Sequence, residues 1–276
     1  EMLGNFSFGG YFKEGAIKYG KDFLESLDLT IDYVTVFSGD EKTPFDEESY
    51  KIWQSLGVKD IRKSGREDNF WGPTGSEGPC GPTTEIYING IEIWNIVFNE
   101  YYCNNGVFEK LKTPGVDTGM GLARLATVLQ GKKNIFETDL FDFIMREFPD
   151  NFPLRAKRII ADHIRGIAFL ISDGLRPSNK EAGYILRRLL RRVIAFAYDE
   201  NIGFPPENLL KLTVDAYKNF SDYKNLDFTI VDEVYKDEYG KFIKTIGLGS
   251  IEFKKEADKI NAQKVFIMHR PFVFNL

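Results

Sequence analysis

Histidine and cysteine are nearly absent, with two of each (Cys80, Cys103, His163, His269) among 276 residues. Two thiols exclude a disulfide scaffold and point to a reducing, cytoplasmic setting. So few Cys and His side chains leave almost no ligands for a closed zinc site. Long apolar runs are missing too: nothing approaches the ~18 residues of a membrane span, and no signal-like segment opens the chain. Neither a membrane nor DNA is expected as a partner. Met is missing from position 1, and both ends fall in apolar sequence, so a cut or incomplete chain is expected.

What is present is the composition of a globular protein, 43% hydrophobic, 28% charged and rich in Phe and Tyr. The length allows one large domain or two ordinary ones. A net charge of −5 argues weakly against nucleic acid, but the charge is unevenly spread. Ten basic residues stand against three acids between Arg155 and Arg192, and that local excess outweighs the total.

Periodicity places helices at 12–27 and 46–56 and strands at 29–37, 85–88 and 91–101. A Gly/Pro-rich loop is expected over 68–82, and a helical pattern over 120–130. Strand following strand predicts an antiparallel or mixed sheet, hence an α+β fold. From 154 onward the pattern is almost purely helical. The expected organisation is a first domain at 1–148, an all-α domain at 149–257, and the start of a linker at 258–276. Phe6 and Phe8 read as core strand residues, and Cys80 as a small buried residue in a tight loop.

The most informative stretch is Gly115-Val-Asp-Thr-Gly-Met-Gly-Leu-Ala-Arg-Leu125. Asp117 and Arg124 stand seven apart and can share one helix face if a helix starts near Asp117. Gly119 and Gly121 carry no side chain to block a ligand from the backbone. A carboxylate for an amine, open backbone and a guanidinium for phosphate suit an amino acid held beside a nucleotide. A capped helix, with Asp117 or Thr118 as N-cap and Arg124 solvated, accounts equally well for the spacing. Further along, at about 100° per residue, Leu186, Leu189, Leu190, Val193 and Ile194 fall on one side of a helix. Arg187, Arg188, Arg191 and Arg192 fall on the other, an unbroken arginine face that favours a polyanion.

Five segments in order resemble the alanyl-tRNA synthetase family of class II aminoacyl-tRNA synthetases. They are Glu1-Met-Leu-Gly-Asn-Phe-Ser-Phe-Gly-Gly-Tyr-Phe12; Asp68-Asn-Phe-Trp71 with Gly78-Pro-Cys-Gly-Pro82; Glu92-Ile-Trp-Asn-Ile-Val-Phe98; Gly115–Leu125; and Arg158-Ile-Ile-Ala-Asp-His-Ile-Arg165 with Pro177-Ser-Asn179 and Gly183-Tyr-Ile-Leu-Arg-Arg188. The resemblance implies a class II antiparallel sheet with flanking helices, followed by an all-α tRNA-recognition domain. It implies ATP-dependent activation of alanine to alanyl-adenylate and transfer to tRNA(Ala), with Mg²⁺ on the nucleotide.

In the family, Gly115–Leu125 matches motif 3. Arg124 is implied to hold the ATP tail with Gly121 alongside, Asp117 to receive the substrate ammonium, and Gly119 to lie against the substrate. Trp71 and Val97 wall the methyl pocket, Asn95 contacts the amino acid, and Glu92 lies near the metal-nucleotide. The helical part grips the acceptor stem and reads a G·U pair, with Asn179 as the reader and Arg187, Arg188, Arg191 and Arg192 on the RNA. Asn179 also reads as a plain helix N-cap.

Ala123 replaces the acidic residue usual before the motif arginine, and Ala182 stands where an arginine is common. Motif 1 and the first part of motif 2 lie ahead of the matched residues, so the chain alone is expected to be weakly active or inactive. An editing domain lies downstream in the family. A pocket for alanine cannot sterically exclude glycine, and one methyl group discriminates by only ~1–3 kcal/mol. Two alternatives stay open: a non-catalytic synthetase-like tRNA-binding paralogue, and an amino-acid:carrier-protein ligase.

Overall fold

The computed structural model describes residues 1–197, 206–218, 220 and 223–256; the expected linker at 258–276, with His269, lies outside them. The chain forms two compact units, Glu1–Leu140 and Phe141–Leu276. No helix among the described residues is long and apolar enough to cross a membrane.

The first unit is built on a mixed sheet. Its strands are β1 (Met2–Leu3), β2 (Ser7–Phe8), β3 (Tyr33–Phe37), β4 (Ile61–Ser64), β5 (Phe70–Trp71), β6 (Glu77–Ile88), β7 (Ile91–Asn104) and β8 (Val107–Gly121). The order is β1-β8-β7-β6-β3-β4, with β2 on β8 and β5 on β6. Only β3 and β4 run parallel; the other pairs are antiparallel. The two long hairpins turn on Asn-Gly pairs. Asn89 and Gly90 have φ of 54° and 72°, and Asn105 and Gly106 have 47° and 83°. Positive φ at both central residues matches the right-handed twist of the strands.

Helices α1 (Lys13–Ser26) and α2 (Glu47–Ser55) carry the apolar residues that cover one face of this sheet. Ala16, Ile17, Leu24 and Trp53 pack with Ile86, Ile96, Phe98, Val116 and Met120 in one buried cluster. The strand residues alternate in sequence, so their neighbours line the opposite face. Trp53 donates from Nε1 to Thr84 Oγ1 at 2.8 Å, which satisfies the indole inside the core. Lys13 is buried, donates to Asp46 at 2.6 Å and pairs with Glu100.

Several expectations are corrected. β8 runs through Gly121 and α4 (Leu122–Leu129) begins only there, so Asp117 and Arg124 do not share a helix and neither Asp117 nor Thr118 caps one. Extended pairing to β7 holds these residues as strand despite their glycines. The stretch 68–82 is not a loop throughout, because α3 (Arg66–Asn69), β5 and the start of β6 lie in it. Pro79 and Pro82 sit beside a register shift between Cys80 and Thr83, where a missing N–H is tolerated. Cys80 is buried on that strand, and burial pushes its thiol up to about 11. Phe6 and Phe8 are 57% and 87% exposed and are not core.

The described elements of the second unit are helices: α5 (Asp142–Met145), α6 (Leu154–Ser172), α7 (Glu181–Ala197), α8 (Pro206–Tyr217) and α9 (Phe228–Glu256). In α6, Ile160, Ile164, Ile167 and Ile171 form one buried seam at three- and four-residue spacing. Leu186, Leu190, Val193 and Ile194 supply the matching stripe of α7.

Candidate functional site

The face of the sheet opposite the core carries the polar residues. Directly paired residues of antiparallel strands share a face. Thr83, Val97 and Asp117 form one row across β6, β7 and β8, and Glu85, Asn95 and Gly119 form the next. Thr35 of β3 extends the second row. Strand spacing makes each row about 10 Å wide, and the diagonal from Asn95 to Asp117 spans roughly 7–8 Å. That is the size of an amino acid. Asn95, Val97, Asp117 and Gly119 are therefore brought together, by strand register and not by a helix turn.

Two of these side chains have nothing to bind. The buried Asn95 Oδ1 has no hydrogen-bond partner among the described residues, and nor do Asn69 Oδ1 and Asn99 Oδ1. The half-buried Asp117 makes no hydrogen bond or ion pair there either. A buried orphan acceptor costs about 1–3 kcal/mol, which makes Asn95 Oδ1 a candidate contact for a ligand's donor. A carboxylate with amide oxygens nearby suits an ammonium.

Where β8 passes into α4, Arg124 donates from Nη1 to Glu92 at 3.0 Å (Oε2) and at 3.2 Å (the main-chain carbonyl). Its side chain is half-exposed and stands over Gly121, the N-cap residue of α4. Arg124 is thus held by Glu92, with donors left over for an anion. Trp71 lies on β5 opposite Gly81, 39% exposed, while its neighbour Phe70 points the other way into a second core cluster.

Glu85 escapes sequence reasoning. It is buried, and Oε2 accepts from Thr35 Oγ1 at 3.1 Å and Tyr87 OH at 2.9 Å. Burial, with the charges of Glu92 and Asp68, raises its pKa, although Tyr87 and Thr35 pull the other way. Asn69 is also buried, and its Nδ2 donates to Thr35 Oγ1 at 2.8 Å and to Thr83 O at 3.2 Å, tying the Asp68–Trp71 segment to this face. The available signal was a lone acid in Thr83-Thr84-Glu85-Ile86-Tyr87-Ile88, alternating with buried isoleucines.

In the second unit the arginine face is only partly a face. Arg191 is buried and donates from Nε to Glu238 of α9 at 2.7 Å. Arg187 Nε lies 3.6 Å from the same carboxylate, and its Nη1 donates to Asn179 Oδ1. Arg188 and Arg192 are exposed. The expectation of four outward guanidiniums reduces to two, because a buried acid on a neighbouring helix captures the inner pair.

These arrangements agree with the relationships of the chain. Residues 1–90 and 89–275 match the family model for tRNA synthetases class II (A). The alanine–tRNA ligase of Borrelia hermsii is 39% identical over 310 aligned positions, covering 96% of this chain and 51% of that protein. That of Myxococcus xanthus is 36% identical across 99% of this chain and 36% of its own length. That of Treponema denticola is 42% identical across 70% of this chain and 38% of its own length. The chain spans about half or less of the length of these relatives. A family model matched almost end to end, with relatives of 36–42% identity, has one consequence: the chain belongs to the class II (A) tRNA synthetase family.

Proposed function

We propose that this protein acts as an alanine–tRNA ligase in the cytoplasm, activating alanine with ATP and transferring it to tRNA(Ala). The observation that carries this reading is that two orphan groups, Asn95 and Asp117, lie diagonally on one sheet face in a chain so similar to alanine–tRNA ligases. Asp117 receives the ammonium and Asn95 its neighbouring polar edge. Val97 and Trp71 bound a space for a methyl group, and Gly119 leaves the backbone open to the substrate.

The alanine carboxylate attacks the α-phosphorus of ATP, and pyrophosphate departs. This step asks for positioning and charge neutralisation more than for proton shuttling. Arg124 binds the polyphosphate, with Gly121 giving it room. Glu92 would offer a carboxylate to Mg²⁺ carried by the nucleotide. Bound there, the ion would neutralise phosphate charge.

Residues 1–148 would form the aminoacylation domain and 149–257 the acceptor-stem-recognition domain. Asn179 would read the G·U pair in the shallow minor groove, with Arg188 and Arg192 meeting the RNA directly, Arg187 acting through Asn179 and Arg191 supporting the surface from within the helix packing.

The test is alanine-dependent ATP–pyrophosphate exchange, run on the chain joined to the segment that precedes the matched residues in its family. Exchange lost in Asp117→Ala and Arg124→Ala supports the assignment. Strong exchange indifferent to both overturns it. Exchange without charging of tRNA indicates a carrier-protein ligase instead.

A further inference from the structure

Glu238 lies in the middle of α9 and is 1% exposed. Its Oε1 takes Arg191 Nε at 2.7 Å and stands 3.6 Å from Arg187 Nε. Arg187 in turn reaches out of the helix packing, and its Nη1 donates to Oδ1 of the exposed Asn179. The three side chains form a relay from a buried charge to a surface amide. We infer that Glu238 and Arg187 are positioning residues for Asn179, fixing which end of its amide meets RNA. This rests on the reading of Asn179 as the acceptor-stem reader.

The polarity follows from chemistry. A guanidinium only donates, so Arg187 accepts one orientation of the Asn179 amide, oxygen inward. The Nδ2 group then faces outward with its two hydrogens. The groups that match it in an RNA minor groove are acceptors: pyrimidine O2, purine N3 and the 2′-hydroxyl. An untethered asparagine presents oxygen or nitrogen with equal ease and loses that choice.

Arg187 needs its own anchor, because a long exposed side chain loses rotamer freedom when held. The buried Glu238 provides it as an ion pair at 3.6 Å, without a hydrogen bond to Arg187 Nε, and Arg191 shares the carboxylate so that its charge is compensated inside the helix packing. The Asn179 backbone is pinned independently. Ser178 N donates to Gly183 O at 3.0 Å. A Cβ on Gly183 would collide with Ser178 Oγ and meet Arg176 O at 2.6 Å, so the loop lies directly on α7. With the loop seated, the remaining freedom of Asn179 is its side chain, which Arg187 removes.

The experiment measures kcat/KM for aminoacylation of tRNA(Ala) carrying either the G·U pair or a Watson–Crick pair at that position. It uses the complete protein and takes the ratio of the two values. Arg187→Met keeps the Arg191–Glu238 pair and removes only the tether, and Glu238→Gln removes the anchor. Both are expected to lower the ratio on the order of tenfold, the scale of one lost charge-assisted hydrogen bond. Asn179→Asp keeps the contact to Arg187 but offers no donor, and should lower the ratio as far as Asn179→Ala does. A general loss of stability lowers both kcat/KM values together and leaves the ratio alone. A wild-type ratio in Arg187→Met, with the ratio lost in Asn179→Ala, overturns the relay and spares the reading of Asn179. A wild-type ratio in Asn179→Ala overturns both. If Glu238→Gln fails to fold, Arg187→Met decides.

Discussion

Val97 and Asp117 are directly paired across β7 and β8, with Asn95 two residues away on the same face. An apolar wall and a carboxylate therefore sit one strand spacing apart, about 5 Å. The methyl and ammonium groups of a small amino acid are both bonded to Cα, so side chains at that spacing can contact one each.

The orphan Asn95 Oδ1 makes stability and binding oppose each other at this position. Asn95→Val removes a buried unsatisfied acceptor and places a β-branched residue in a strand. Thermal unfolding should shift upward, by a gain of about 1–3 kcal/mol. The KM for alanine in pyrophosphate exchange should rise at least tenfold. An unchanged KM would remove Asn95 from the site.

Glu85 gives a pH-dependent test. Its folded pKa is raised, first by burial and then by Glu92 and Asp68. A raised carboxyl contributes stability below its unfolded value and loses it as pH rises through the folded value. Glu85→Gln should therefore match the wild type most nearly around pH 4.5. It should gain relative stability as pH climbs towards neutrality. Unfolding midpoints measured from pH 4 to pH 8 (roughly the range over which a buried carboxyl titrates) check the trend, and a constant difference contradicts it.

Lys13 should show the same direction of pH dependence, at far higher pH. Burial pulls its pKa down, but Asp46 and Glu100 more than reverse this, leaving it raised above 10.5. Its contribution to stability is complete below that value and fades only as the medium becomes strongly alkaline. Lys13→Ala leaves two carboxylates facing each other and should destabilise the unit by roughly 3–5 kcal/mol. Denaturant titration at pH 7 measures this, and a loss below about 1 kcal/mol would place the pair among weak surface bridges.

The second unit separates two kinds of arginine. Arg188→Gln with Arg192→Gln should flatten the salt dependence of tRNA binding, by up to about one unit of log–log slope per lost phosphate contact. Arg191→Gln should lower thermal stability while leaving that slope nearly intact, since Arg191 is spent on Glu238. Equal slope changes in both variants would contradict the division.

The helices of the second unit were legible because a seam such as Ile160, Ile164, Ile167 and Ile171 repeats at helical spacing within one local stretch. Helix α1 was legible for the same reason, and strand β7 from its run of β-branched and aromatic residues. The motif at Gly115–Leu125 was misread as geometry. Its glycines and polar residues carry no strong strand period, and β8 is a strand because β7 supplies its hydrogen bonds.

By itself, the sequence determined the residue types of the candidate site, the family, and the basic stretch from Arg155 to Arg192. All are properties of order along the chain. Only tertiary structure decided that Asp117 faces Val97 and that Glu85 lies opposite Asn95. It alone decided that Glu238, far along the chain, claims Arg187 and Arg191. Register and the burial of a distant charge depend on which segments pack together, and no local spacing encodes that choice.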